Sequence, residues 1–201
     1  MASVAQMHRW FRRQKAVLVA GFATALIIML PAIGWTQTES TDPNLAKIVQ
    51  SLVGTWQGTL EYRDFQSDDR VRIPVQSVEM SIHGNILLRK FIFQDGNNQV
   101  DRLSVATYDP EENVWREAYV GDGFVETYDS KIRVISYRAQ AWRMEFLRDG
   151  EDNGRAAILR ETMSWDGTKL TSLNEVRYKL TGRGEKRWQF RNTLTLTPRK
   201  G

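Results

Sequence analysis

The sequence predicts an all-β protein: a single antiparallel up-and-down β-barrel of about ten strands. A short N-terminal helix is expected to close one end, preceded by a signal or anchor helix. Three observations predict this fold. From residue 54 onward polar and apolar side chains alternate, as in strands with one buried face. Turns rich in glycine, asparagine and aspartate separate these runs at short intervals. No second long helical pattern follows, and closure would remove the edges of such a long meander.

Residues 1–35 differ from the rest of the chain and are predicted to be a signal peptide or an N-terminal membrane anchor. Basic residues precede the segment 16–35, which contains no charged residue. This order is typical of an export signal, and residues 32–34 have the small side chains of a cleavage site. About 20 apolar residues also suffice to span a bilayer, so an uncleaved anchor stays open, as does a buried soluble helix. The first two alternatives place the domain outside the cytoplasm, either periplasmic or tethered to the inner membrane by residues 16–35.

Charge and cysteine content exclude several classes of function. The chain has 28 lysines and arginines and 24 aspartates and glutamates, and residues 1–34 contain four of the basic residues and no acidic one. The remainder is therefore neutral. Basic and acidic residues alternate along the predicted strands instead of forming a basic patch, so we expect no nucleic-acid partner. Membrane contact is expected only through the N-terminal segment, if it is uncleaved. The absence of cysteine excludes disulfides and thiolate chemistry.

A polar linker over residues 36–42 is predicted to join the leader to a barrel domain over residues 43–201. Asp42 is a good helix N-cap, and Pro43 suits the first helical position. The apolar stripe that follows has helical spacing: Leu45, Ile48, Val49, Leu52 and Val53. Because so short a helix is not stable alone in water, we expect it to pack on one end of the barrel.

The first strand follows this helix directly, and alternating strands then continue to the C-terminus. Trp56, Leu60 and Tyr62 alternate with polar residues, and Gly58 indicates a bend or a close backbone approach. Pro74 suggests a sheet edge or a bulge. Residues 149–154 are predicted to form a mobile loop. The later strands are expected at 70–75, 77–82, 86–93, 103–108, 114–120, 124–128, 131–137, 142–147, 156–165, 170–180 and 188–196.

Some polar residues fall on the apolar faces of these strands. Arg89, Glu117, Glu161 and Asn192 each lie between two apolar residues of the same parity. A charge buried there needs an ion-pair partner, water or a ligand, so these residues are candidate polar contacts within a cavity. The alternative is that bulges shift the register and turn them toward water.

Aromatic residues lie on the same apolar faces as these polar residues. A barrel of about eight to ten strands can hold either side chains or one small apolar ligand, so the rings are candidates for a cavity wall. The alternative is that these rings only fill the core. The aromatic candidates for the cavity wall are Tyr62, Phe91, Tyr119, Trp142, Phe146 and Tyr178.

Catalytic and metal chemistry have little support in the sequence. His83 is the only histidine after the leader and lies in a predicted turn. The chain has no metal-ligand motif, nucleophile elbow or glycine-rich phosphate loop, so we predict no catalytic residues, no metal and no cofactor. Glu117 and Glu161 share an apolar face and could act as an acid–base pair, but only their parity supports this.

The segment 52–58, Leu-Val-Gly-Thr-Trp-Gln-Gly, resembles the Gly-x-Trp opening of the calycin superfamily. The turn at 108–110, with Trp115 after it, is similar to exported lipocalin-like bacterial proteins of unknown function, and the outline is similar to nitrobindin-like barrels. The resemblance implies a calycin barrel of about ten strands, a possible small ligand, and a structural role for Trp56 in closing the barrel. Nitrobindin-like proteins hold haem through a histidine late in the chain. This sequence has none after His83, so haem is not expected.

The leading hypothesis is a cell-envelope lipocalin-like barrel that binds a small apolar or amphipathic molecule in its interior. The leader, the strand pattern and the Gly-Thr-Trp opening motivate it. The first alternative is a non-catalytic interaction or structural module of the envelope with a packed barrel. The second alternative is a barrel isomerase or lyase.

Overall fold

The structure is a computed structural model that describes residues 43–64, 67–179 and 187–199. The predicted leader (1–35) and linker (36–42) lie outside the described residues. Helix α1 spans Pro43–Ser51. Within the described part of the chain, no helix has the length and apolar character needed to span a membrane.

Ten antiparallel strands follow the helix and form one closed barrel. Each strand pairs with its neighbour in the sequence, and β1 pairs with β10 to complete the ring. The predicted fold class is therefore confirmed. The strands are β1 (Gly54–Arg63), β2 (Arg70–His83), β3 (Ile86–Asp95), β4 (Asn98–Asp109), β5 (Val114–Gly121), β6 (Phe124–Arg138), β7 (Ala141–Asp152), β8 (Arg155–Trp165), β9 (Leu170–Tyr178) and β10 (Gln189–Pro198).

Three local predictions were wrong. The expected strands 70–75 and 77–82 form the single strand β2, with a bulge between Val75 and Ser77. The segments 124–128 and 131–137 form one strand, because the ladder to β5 continues through Asp129 and Ser130. Ser130 is small enough to be buried on the inner face. Most of the predicted mobile loop 149–154 is also strand, since β7 pairs with β8 as far as Asp152 and only Asn153–Gly154 turn the chain.

The closed barrel explains the unusual residues of the first two strands. Pro74 lies on no sheet edge; it pairs with Thr59, and the bulge of β2 follows it between Val75 and Ser77. At Gly58 a Cβ atom would lie 1.9 Å from the carbonyl oxygen of Thr195, on the neighbouring strand β10. Gly58 is thus the close backbone approach that the sequence predicted.

The helix end of the barrel is tightly packed. Ile48 of α1 and Leu52, which directly follows the helix, are fully buried in the main core. Trp56 Nε1 donates a hydrogen bond to the Leu52 carbonyl at 2.8 Å, and its ring meets Trp165 edge-to-face with centroids 5.6 Å apart. Trp142 Nε1 donates to Ser51 Oγ at 3.1 Å. Two indoles therefore hold the helix against the barrel, as its apolar stripe predicted.

Candidate functional site

The centre of the barrel contains a buried charged group, here called the polar centre (Arg89, Ser104 and Glu117). The three side chains come from the consecutive strands β3, β4 and β5, and Ser104 is fully buried. Arg89 Nη2 donates to Glu117 Oε1 at 2.5 Å, and Arg89 Nε donates to Ser104 Oγ at 3.1 Å. Ser104 in turn donates to the same Glu117 oxygen at 2.6 Å.

The positive charge of Arg89 is opposed by two carboxylates, Glu117 within the polar centre and Glu161 outside it. Burial alone would lower the pKa of Arg89, but the charges of Glu117 and Glu161 outweigh it and raise the pKa above its ordinary value. Arg89 therefore stays charged. Arg89 and Ser104 both donate to Glu117 Oε1, so this oxygen is bonded within the polar centre. The acid–base role of Glu117 with Glu161 stays a prediction.

A second polar group lies on the inner face of β8, β9 and β10, here called the inner polar row (Glu161, Ser172, Asn174 and Asn192). Ser172 Oγ donates to Glu161 Oε1 at 2.7 Å. Asn174 Nδ2 donates to Asn192 Oδ1 at 3.0 Å and lies 3.5 Å from Ser172 Oγ. Cross-strand pairing produces the row, since Glu161 is opposite Asn174, and Asn174 is opposite Asn192.

Three of the four members of the inner polar row, Glu161, Asn174 and Asn192, are half-buried, and Ser172 is buried. On β9, Asn174 is half-buried, whereas Ser172 and Val176 on either side are buried. On β8, Glu161 is half-buried while Met163 below it is buried. The inward-facing neighbours Leu159 and Leu194 are half-buried as well.

Half-buried apolar side chains lie beside the inner polar row on β10 and β1, and together with the row they are called the inner wall. Leu194 is paired with Ser172, and Leu60 with Leu194. Leu60, Leu194 and Tyr62 are half-buried and pack against the main core. The wall thus combines hydrogen-bonding groups with apolar area, which is the usual composition of a small-molecule site.

Two tyrosines and a glutamate line the inner face of β5 and β6, where Tyr119 is opposite Glu126. Burial raises the pKa values of Tyr119 and Tyr128, so both hydroxyls stay protonated. Burial also raises the pKa of Glu126, against the opposing charge of Arg148, whose guanidinium lies 4.1 Å from the centre of the Tyr128 ring.

A buried ion pair lies toward the opposite end of the barrel from the helix. Asp152 forms a salt bridge with Arg191 and accepts a hydrogen bond from the Tyr178 hydroxyl. The Arg155 guanidinium stacks 3.8 Å from the Tyr178 ring centre. Burial, and after it the hydrogen bond to Asp152, raises the pKa of Tyr178 to about 12. This cluster ties β7, β9 and β10 together.

The structure distributes the predicted cavity residues over three regions. Arg89 and Glu117 are only 8% and 9% exposed, so the alternative in which they face water is wrong. Trp142 contacts the helix, and Tyr178 belongs to the ion-pair cluster just described. Their roles as ligand contacts remain predictions. The others lie on the inner face near the polar centre or the inner polar row: Tyr62, Phe91, Tyr119, Phe146, Glu161 and Asn192.

Sequence reasoning missed several residues of these groups. Ser104 and Ser172 each lie two positions from buried residues of the same strand. This alternation was the only feature of the sequence that indicated their inward position. Asn174 has the same parity as Ser172 and Val176 and could have been found in the same way. Arg191 could not, because the register of β10 shifts between Phe190 and Asn192 and turns this arginine inward.

Two hollows lie away from both polar groups. One hollow, of about 290 Å³, is bordered by Val114, Leu147 and Ile158, and the other, of about 360 Å³, by Leu45, Tyr108 and neighbouring residues. Neither includes the polar centre or the inner polar row. Among residues 43–64, 67–179 and 187–199, no cluster of three or more histidines or carboxylates is placed to bind a metal ion.

Comparisons with known proteins support the fold. No family model and no curated protein matches the chain. Among solved structures, the chain is similar to the crystal structure of Rv2717c from M. tuberculosis, with a TM-score of 0.55 and 13% sequence identity. The match covers 79% of this chain and 98% of that chain. At this identity the likeness concerns the fold alone, and the closed ten-stranded packed barrel fits a calycin or lipocalin-like fold.

Proposed function

We propose that this protein is a lipocalin-like barrel of the cell envelope that binds a small amphipathic molecule in its interior. The observation that carries the proposal is that Glu161, Asn174 and Asn192 are polar, half-buried and on the inner face of a closed barrel. Polar groups in such a position need water or a ligand to complete their hydrogen bonds.

An amphipathic ligand fits the wall better than a purely apolar one. Leu60 and Leu194 provide apolar contact, whereas Glu161, Asn174 and Asn192 would lose hydrogen bonds with water if an apolar group covered them. Leaving such groups unsatisfied costs about 1–3 kcal/mol each. A ligand with a polar head and an apolar body avoids this cost.

The envelope location in this proposal rests on the sequence of residues 1–35. A basic start and an uncharged apolar segment favour export, with the barrel either released or tethered to the inner membrane.

The first test is native mass spectrometry of the full-length chain, purified from its own source under gentle conditions. We expect a co-purifying small molecule in the wild type and its loss in an Asn174→Leu/Asn192→Leu variant, which fills the wall and removes its amides. Thr171→Leu is the matched control, because Thr171 faces outward on the same strand and pairs with Thr195. A clean apo mass for the wild type would contradict the proposal and favour the alternative of a packed interaction module.

A further inference from the structure

We propose that the inner polar row recognises the protonated amine of its ligand, so that the ligand is an amphipathic amine. This inference rests on the proposed function and adds the chemical class of the head group. It follows from the hydrogen-bonding capacity and the charge that the row leaves available.

Glu161 retains an open oxygen. Its Oε1 accepts the hydrogen bond from Ser172, whereas Oε2 has no hydrogen-bond donor among the described residues. The asparagines also retain capacity. Their mutual bond uses one amide NH₂ and one amide oxygen, so Asn174 and Asn192 together keep one acceptor and one donor open, whichever way the two amides are oriented. The row therefore offers a charged acceptor, a neutral acceptor and one donor.

The charge of Glu161 favours a cationic head group over a neutral one. Arg89 contributes to the field at Glu161, but its hydrogen bonds go to Glu117 and Ser104. Glu161 thus has a neutral serine as its hydrogen-bond donor within the described residues. A charged donor would form the strongest hydrogen bond to the open oxygen of this carboxylate, since charge-assisted hydrogen bonds are about twice as strong as neutral ones. An anionic head would instead face a like charge.

The apolar wall next to the row determines where the rest of the ligand lies. Leu194 is opposite Ser172, and Leu60 is opposite Leu194, so the two leucines extend directly from the row across β10 and β1. An alkyl chain attached to the amine would contact these side chains while the ammonium group remains at Glu161.

Octylamine, octanol and octanoate test this inference, because they share one chain and differ in the head group. Each is titrated calorimetrically into the full-length protein with the same mild non-ionic detergent throughout. We expect octylamine to bind at least about tenfold more tightly than octanol, and octanoate to bind more weakly than either. Glu161→Gln should remove most of the preference for octylamine. Glu79→Gln, on the exposed outer face of β2, should leave it unchanged.

The outcomes separate this inference from the proposed function. If all three probes bind equally, the interior takes amphipathic ligands but the amine assignment is wrong. The assignment is also wrong if octanoate binds most tightly, or if Glu161→Gln, with wild-type circular dichroism, keeps the amine preference. If no probe binds, the internal ligand site itself is contradicted. The comparison of the three probes on the wild type needs no variant and so holds even if Glu161→Gln fails to fold.

Discussion

Arg89 Nη2 lies 2.5 Å from Glu117 Oε1, and the two residues belong to strands that are not neighbours in the barrel. Ser104, on the strand between them, bonds to both. The interaction therefore connects three strands through side chains, in addition to their backbone ladders. Because both charges are buried, each depends on the other for its solvation.

The first prediction concerns this pair. Arg89→Met keeps the apolar stem but leaves the Glu117 charge buried beside a serine, so the free energy of unfolding is expected to fall by about 3–5 kcal/mol. Replacing both partners, in Arg89→Met/Glu117→Leu, should recover most of this loss because the buried Glu117 charge is removed together with its partner. Urea-induced unfolding followed by circular dichroism measures both effects.

Arg133→Met is the control for that experiment. Arg133 pairs with Glu145 on the outer wall, and its side chain is 69% exposed. Removing this surface ion pair is expected to change the free energy of unfolding by less than about 1 kcal/mol. An equal loss in Arg89→Met and Arg133→Met would mean that the buried pair has no special role.

The position of Arg89 and Glu117 on the inner face could be predicted from the sequence, because parity along a strand needs no knowledge of the partner strand. Their ion pair could not. It depends on the registers that place Arg89 opposite Ser104 and Ala106 opposite Glu117. These registers are fixed by the turns and by closure of the whole barrel, which local patterns do not encode.

The second prediction concerns Gly58. An alanine Cβ at this position would lie 1.9 Å from Thr195 O, a backbone atom that cannot move without separating β1 from β10. We therefore expect Gly58→Ala to destabilise the protein by about 3 kcal/mol or more, at the upper end of the cost of overpacking. Thermal unfolding monitored by circular dichroism provides the measurement.

Gly84→Ala is the matched glycine variant. A Cβ at Gly84 has open space around it, although the residue has a φ of +62°. Only the strain of the left-handed conformation remains there, at roughly 1–2 kcal/mol. The interpretation of Gly58 fails if its variant is as stable as the Gly84 variant.

The third prediction concerns the helix contact made by Trp56. Trp56→Phe removes the hydrogen bond from Nε1 to the Leu52 carbonyl while an aromatic ring still faces Trp165. The loss should be about 1–3 kcal/mol, since a buried carbonyl is left without a donor. We expect faster hydrogen exchange at the amides of α1 and little change in the strands, measured by mass spectrometry.

Trp188→Phe controls for the loss of an indole elsewhere. The guanidinium groups of Arg160 and Arg177 lie 4.0 Å and 4.7 Å from the centre of the Trp188 ring. This variant should leave the exchange of α1 unchanged. Unaltered exchange of α1 in Trp56→Phe would mean that the indole does not hold the helix in place.

The limits of sequence reasoning are also clear from Asp152 and the strand it ends. Glycine and acidic residues over 149–154 favour a loop, and local propensity alone predicts one. Tertiary contacts override that propensity, because Asp152 is buried by Arg191 and Tyr178. Arg191 faces Asp152 only because the register of β10 shifts beside it, and no local pattern indicates that shift.

The last prediction concerns Glu126, a carboxylate on the inner face of β6 opposite Tyr119. Its Oε1 is buried and has no hydrogen-bond partner among the described residues. Burial raises the pKa of Glu126 above its ordinary value of 4.5. The folded protein thus binds this proton more tightly than the unfolded chain, so the carboxyl group favours folding below that ordinary value. This contribution is lost as the pH rises through the raised pKa.

Glu126→Gln removes the charge without changing the shape of the side chain. We expect the variant to be more stable than the wild type at neutral pH, by less than about 1 kcal/mol because water screens the half-buried carboxylate. The difference should shrink near about pH 3, where the wild-type carboxyl group is protonated in both states. Urea unfolding at the two pH values measures this, with the exposed Glu79→Gln as control. A variant that is less stable at neutral pH would show that the attraction between Glu126 and Arg148 outweighs the cost of burial.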